Sequence, residues 1–118
     1  MRTTRRLLVA LACALPIATL VPSVSFAQKK IVVGFSQVGA ESEWRTANTE
    51  SVKSAAREAG IELKFSDAQQ KQENQIKAIR SYIQQKVDVI AFSPVVETGW
   101  DAALNEAQAA GIPVVLTE

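Results

Sequence analysis

The chain has 118 residues, with 13 Lys and Arg against 12 Asp and Glu, and a formal charge of +1. It contains no His and one Cys, Cys13. These counts exclude His-based acid–base chemistry, Ser–His–Asp triads and the commonest protein ligand of zinc.

Residues 1–27 read as an export signal. Met1–Arg6 carries Arg2, Arg5 and Arg6 and no acid, Leu7–Leu15 is apolar throughout, and a looser apolar stretch continues to Val24. Ser25-Phe26-Ala27 then puts small residues at the positions a signal peptidase requires for a cut after Ala27. This charged–apolar–small order is that of a secretory signal peptide. Pro16 and Pro22 weigh against a membrane anchor over Leu7–Val24, which otherwise has about the length of a bilayer span. Ala10 stands where a lipoprotein signal at Cys13 would carry Leu. Arg5-Arg6 leaves twin-arginine export beside the general route. The expectation is export to a bacterial periplasm. Cleavage leaves 91 residues with ten basic and twelve acidic side chains, a charge of −2, and no cysteine. Such a chain has no thiol nucleophile or disulfide, and no electrostatic reason to bind nucleic acid. With the signal removed, no stable membrane insertion is expected.

After residue 30 the pattern is regular. Ile31–Phe35 is a β-branched run and predicts a buried strand. Val52, Ala55, Ala56 and Ala59 fall on one helical stripe. Glu62–Ser66, led by Ile61, predicts a second strand. Ile76, Ile79 and Ile83, with Tyr82 beside them, form a second stripe. Val87–Phe92 predicts a third strand, Trp100, Ala103, Leu104 and Ala107 a third helix, and Ile112–Leu116 a fourth strand. Gly60-Ile61 and Gly111-Ile112 have the form of left-handed helix caps, and Lys86 stands where a third such Gly would be. Asp67 with Gln70, and Thr98 with Asp101, have capping-box spacing. The fold class is therefore α/β, with a parallel sheet in βαβαβαβ order and helices on both faces, a Rossmann-like arrangement.

In such sheets ligands bind beyond the carboxyl ends of the strands. Ser36–Arg45, Asp67–Gln72, Ser93–Trp100 and Thr117–Glu118 make that edge. The first segment is richest: Glu41, Ser42, Glu43, Trp44 and Arg45 place carboxylates, a hydroxyl, an indole and a guanidinium within five residues. Dense donors and acceptors suit the hydroxyls of a sugar, and the C–H face of a sugar ring suits an aromatic plane. The plainer alternatives are that Trp44 packs on the sheet and that Glu41 and Arg45 form a helix-surface ion pair. The polar run Gln69–Gln75 reads as a solvated first helical turn. Neither a dinucleotide-binding G-x-G-x-x-G nor a phosphate-binding G-x-x-x-x-G-K-[ST] occurs. Glu41 and Glu43, neighbours on one loop, are poorly spaced to flank a glycosidic bond.

Val33-Gly34-Phe35-Ser36-Gln37-Val38-Gly39, Glu41-Ser42-x-Trp44-Arg45, Asp67-x-Gln69-Gln70-Lys71-Gln72-Glu73-Asn74-Gln75-Ile76 and Ser93-Pro94-Val95-Val96-x-Thr98-Gly99-Trp100 occur in order. Together they resemble the type I periplasmic sugar-binding proteins of ABC transporters, above all the galactofuranose-binding branch. The resemblance implies a two-lobed protein that binds a monosaccharide without covalent chemistry, cofactor or metal, and hands it to a membrane permease. Residues 28–118 would then be part of the N-terminal α/β lobe of a monomer that is not an enzyme. It carries Glu41, Ser42, Glu43, Trp44 and Arg45 onto the family's first sugar-contacting loop, although Glu43 stands where close members have Gly. Glu118 falls on the Asp of an Asp-Arg pair that contacts sugar in the family. Ala68 stands where a Gly is usual. The alternative function is a sugar sensor that feeds a chemoreceptor or another signalling partner.

Overall fold

The computed structural model describes residues 28–117. Residues 1–27, the expected export signal with Cys13, and Glu118 lie outside the described residues. Four strands alternate with three helices: β1 Val32–Gln37, α1 Glu43–Glu58, β2 Glu62–Asp67, α2 Gln72–Gln84, β3 Val89–Phe92, α3 Asp101–Ala109 and β4 Val114–Leu116. All the strand pairings are parallel, and the spatial order is β2-β1-β3-β4. The βαβαβαβ expectation from periodicity holds, with strand starts displaced by one or two residues.

Side chains alternate between the two faces of a strand. Val32, Ile90, Phe92 and Val114 pack on one face against Ile79, Tyr82, Trp100, Ala103, Ala107 and Ile112 of α2, α3 and their flanks. Ile79, Ile90 and Phe92 are fully buried, and each burial contributes about 1.5–3 kcal/mol. A Cβ on Gly34 would overlap the Tyr82 ring, so glycine lets α2 lie close to β1. Tyr82 donates to the Phe35 carbonyl at 3.0 Å and lies 2.8 Å from the Ser66 hydroxyl. Its proton being committed to Phe35, Tyr82 accepts from Ser66. On the opposite face Phe35 and Phe65 stack with centroids 6.1 Å apart, and Lys53 of α1 lies 4.7 Å from the Phe65 centroid. Helices thus cover both faces, as expected. Among the described residues, no helix is long and apolar enough to cross a membrane.

The amino edge of the sheet is closed by three turns of one type. Ile61 N–H donates to the Ala56 carbonyl, Val87 N–H to Tyr82 and Ile112 N–H to Ala107, each with the preceding residue at positive φ. These are Schellman caps. The third Gly position holds Lys86, at φ 55°. The capping boxes are corrected: α2 is preceded by Lys71 and α3 by Trp100, neither making a side-chain cap bond. Asp67 accepts instead from Gln69 N–H at 2.8 Å, holding a turn one step earlier. Asp88 accepts from Val32 N–H at 2.8 Å and from Lys29 at 3.3 Å, pinning β1 to the α2–β3 turn. The Val32 hydrogen bond first, and then Lys29, hold its carboxyl below the ordinary value of 3.8.

Two outcomes follow from these turns. Lys86→Gly relieves a left-handed side chain and raises stability by about 1 kcal/mol, read by chemical denaturation. Because the Asp88 carboxyl is depressed on folding, its stabilising effect is present above pH 3.8 and is lost as pH falls through the lower folded value. Asp88→Asn therefore lowers stability at neutral pH and flattens the acid limb of the stability curve.

Candidate functional site

With strand order β2-β1-β3-β4, the chain leaves β1 toward one flank and β3 toward the other. A crevice opens where such connections diverge, above the carboxyl ends of β1 and β3. Gln37, the last residue of β1, is fully buried there. Its amide nitrogen donates to Asn48 Oδ1 at 2.9 Å and Thr49 Oγ1 at 3.1 Å, both on α1. Its oxygen accepts from Val38 N–H at 3.0 Å and from the Arg45 guanidinium at 3.4 Å. Two donors and two acceptor positions are thus all used, which fixes the amide's orientation.

Arg45 is held between this amide and Glu41, whose Oε1 accepts from Nε at 3.1 Å. The Arg45 side chain is 16% exposed and that of Glu41 30%. The Glu41 backbone hydrogen bond, followed by Arg45, keeps the Glu41 carboxyl below its ordinary 4.5, against partial desolvation. Glu41 is therefore ionised through the neutral range. The expected ion pair is present, and it is set against a buried amide rather than standing alone on a helix surface. A Cβ on the buried Gly39 would come within 2.8 Å of Glu41 Oε2, so a side chain there would displace the carboxylate.

Trp44 is 55% exposed, which overturns the alternative that it packs on the sheet. The Arg45 guanidinium lies 5.0 Å from its ring centroid. Ser42 is the N-cap of α1 and accepts from Arg45 N–H at 3.1 Å, so its hydroxyl oxygen is committed to the helix while its proton can be donated elsewhere. Glu43 lies in the first turn of α1 and is exposed. It lines a shallow concavity with Ala40, Glu41, Ser42, Thr46 and Ala47. The structure brings Glu41 and Arg45 together with Trp44 beside them, and Glu118 lies outside the described residues.

Two polar residues of this edge were not anticipated: Gln37 and Gln75. Gln37 closes a strand and Gln75 ends a polar run, and neither local pattern signals burial. Across the crevice, Ser93 and Thr117 hydroxyls lie 2.8 Å apart, joining the ends of β3 and β4. Among the described residues, no cluster of three or more His, Cys, Asp or Glu could hold a metal ion.

Comparison with known proteins agrees with this architecture. The family model described as periplasmic binding protein domain matches residues 33–118. The chain belongs to the periplasmic binding protein family. It is 58% identical over 88 residues to the galactofuranose-binding protein YtfQ of Escherichia coli (strain K12), covering 75% of this chain and 28% of that one. This periplasmic binding protein chain is also similar to the binding component of the arabinose ABC transporter of Shewanella sp. ANA-3, solved with α- and β-L-arabinofuranose: 65% identity, TM-score 0.71, 72% of this chain and 28% of that chain. A Mycobacterium smegmatis protein solved with β-D-fucofuranose matches at 72% identity and TM-score 0.74, over 75% of this chain and 29% of that chain. The chain thus spans about 28% of the length of these relatives. Two of these relatives are named as sugar-binding proteins, one for galactofuranose and one as the binding component of an arabinose ABC transporter.

Ser42→Ala removes the α1 cap and lowers stability by about 1 kcal/mol in chemical denaturation.

Proposed function

We propose that this chain carries part of the first lobe of an exported sugar receptor, which binds a furanose-form monosaccharide such as galactofuranose and delivers it to an ABC transporter permease. The observation that carries the reading is the cluster at the carboxyl end of β1, where Glu41 and Arg45 are paired on a buried amide and the Trp44 indole lies open beside them. A sugar needs such a mixture: bidentate charged partners for vicinal hydroxyls and an aromatic surface for the C–H face. Glu41 accepts from, and Arg45 donates to, the ring hydroxyls. Ser42 supplies a hydroxyl proton, Glu43 borders the entrance, and Trp44 walls the ring. Glu118, next after Thr117 in the sequence, adds a further carboxylate for a sugar hydroxyl. The lengths and ligands of the relatives support a second lobe that closes on the same sugar.

Residues 1–27 direct the protein to the periplasm and are removed after Ala27. The receptor works as a monomer, because the permease must take sugar from a single closed cleft.

The test is titration of the full-length protein with galactofuranose, arabinofuranose and pyranose controls, followed by tryptophan fluorescence and calorimetry. A furanose saturates the wild type. Arg45→Ala and Trp44→Ala each weaken binding by about tenfold or more, the scale of one charge-assisted hydrogen bond or one stacked ring. Wild-type protein that responds to no furanose or pyranose overturns the reading. Capture of a chemoreceptor rather than the permease by the sugar-loaded protein redirects it to sensing.

A further inference from the structure

The run Gln69–Gln75 reads in the sequence as solvent-facing; in the structure Gln69, Gln70, Lys71 and Glu73 are exposed, but Gln75 is not. Gln75 is fully buried although it belongs to the first turn of α2. Its amide nitrogen donates to the Ser93 carbonyl at 2.6 Å, and its oxygen accepts from Val95 N–H at 2.9 Å. Those two backbone groups sit on either side of Pro94, at the start of the segment between β3 and α3. A peptide N–H and C=O with no strand or helix to pair them are costly when buried. One amide satisfies both. Gln72 adds a second tie, its nitrogen donating to the Thr98 carbonyl at 2.6 Å. The same stretch of chain also reaches the first loop, since Gln70 N–H donates to the Val38 carbonyl at 2.7 Å. Gln69 and Gln70 hold positive φ, 52° and 60°, to make that turn.

We infer that Gln75, seconded by Gln72, is a positioning residue: it holds the β3–α3 segment in register with the β1–α1 loop, so that the two walls of the crevice keep a fixed separation. Gln75 touches no ligand in this scheme. It acts through the backbone of Ser93 and Val95, at the wall facing Glu41, Trp44 and Arg45. The inference rests on the proposed sugar site for its functional consequence, but the anchoring itself does not.

Gln75→Glu separates donor from acceptor. A carboxylate still accepts from Val95 N–H but faces the Ser93 carbonyl with no proton. Protonation restores the donor, and a buried Glu protonates at higher pH than the free side chain at about 4.3. In the full-length protein, Gln75→Glu binds furanose about tenfold or more weakly at neutral pH and recovers to within about threefold of wild type at about pH 5. Wild type stays level over that range. Gln72→Ala, at a half-buried position, weakens binding about twofold to fivefold without loss of folding. Amide hydrogen exchange at Val95, measured without sugar, is the independent arm. It speeds by about tenfold or more in Gln75→Met, while amides of β1 keep their protection. Unchanged exchange at Val95 in Gln75→Met overturns the anchoring. Altered exchange with sugar affinity unmoved in Gln75→Glu at neutral pH overturns the positioning role. Failure of wild type to bind any sugar sinks the proposed function instead, and the exchange result still decides the anchor.

Discussion

The position of β1 between two parallel partners governs the rest of the molecule. A strand paired on both sides and covered on both faces, buried from Gly34 to Gln37, has little access to water, so its backbone groups must be met by β2 and β3. Its only outlet is its carboxyl end. There the ladder with β3 stops at Ser36 and that with β2 at Gln37, helix α1 departs over one face, and the chain leaving β3 departs over the other. The divergence opens a crevice that no neighbouring element of the described residues fills. Polar side chains at that point are not misplaced core residues; they complete hydrogen bonding where secondary structure ends.

The two buried amides divide this work between the faces. Gln37 reaches to α1 and orients Arg45 in its first turn, while Gln75 reaches from α2 and fixes the third connection of the carboxyl edge. Both are neutral, and both have donor and acceptor sides engaged. A neutral amide with its hydrogen bonds made is far cheaper to bury than an ion, whose desolvation is rarely recovered without an ideal partner. The charges are kept one layer outward, in the partly exposed Glu41–Arg45 pair. The arrangement places rigid neutral supports beneath and a charged, hydrated surface above, which is where a polyhydroxylated ligand can exchange water for protein partners without stripping a bare charge.

The fold was legible because its signals are periodic. Apolar runs near every 25–30 residues, helical stripes between them and two Gly-Ile caps leave little freedom to a short chain. Lys86 could be read as a left-handed residue because it occupies the place of a cap, and its φ of 55° agrees. The capping boxes misled because Asp and Thr at the right spacing serve turns as readily as helices, and Asp67 was taken by the Gln69 amide. The Glu41–Arg45 pair follows from its spacing of four. The burial of Gln37 and Gln75 does not follow from local pattern. It depends on which loop ends up above which helix, a relation set by the crossover of α2 from one side of β1 to the other. Gln75 lies among six polar neighbours, and no feature of residues 69–74 distinguishes it from a solvated turn.

The two ends of the sheet differ in the work their connections do. At the amino edge, residues 59–61, 85–88 and 110–113 are short turns whose backbone is spent on Schellman bonds, with Asp88 and Lys29 as the added polar tie. Concavities do lie beside these turns, one against residues 28–31 and one between residues 86–88 and 110–112, but the turns' own backbone is closed on itself. At the carboxyl edge, residues 38–42, 68–71 and 93–100 connect strand to helix, and their conformations are imposed by side chains from elsewhere: Gln37, Asn74, Gln72 and Gln75. A connection shaped from outside can vary its own residues without losing its path. That separation of support from surface explains how one sheet can keep its frame while the residues facing the crevice are tuned to a particular sugar. It also explains why Gln75, which fixes the third connection, lies outside the segment whose composition first points to a ligand.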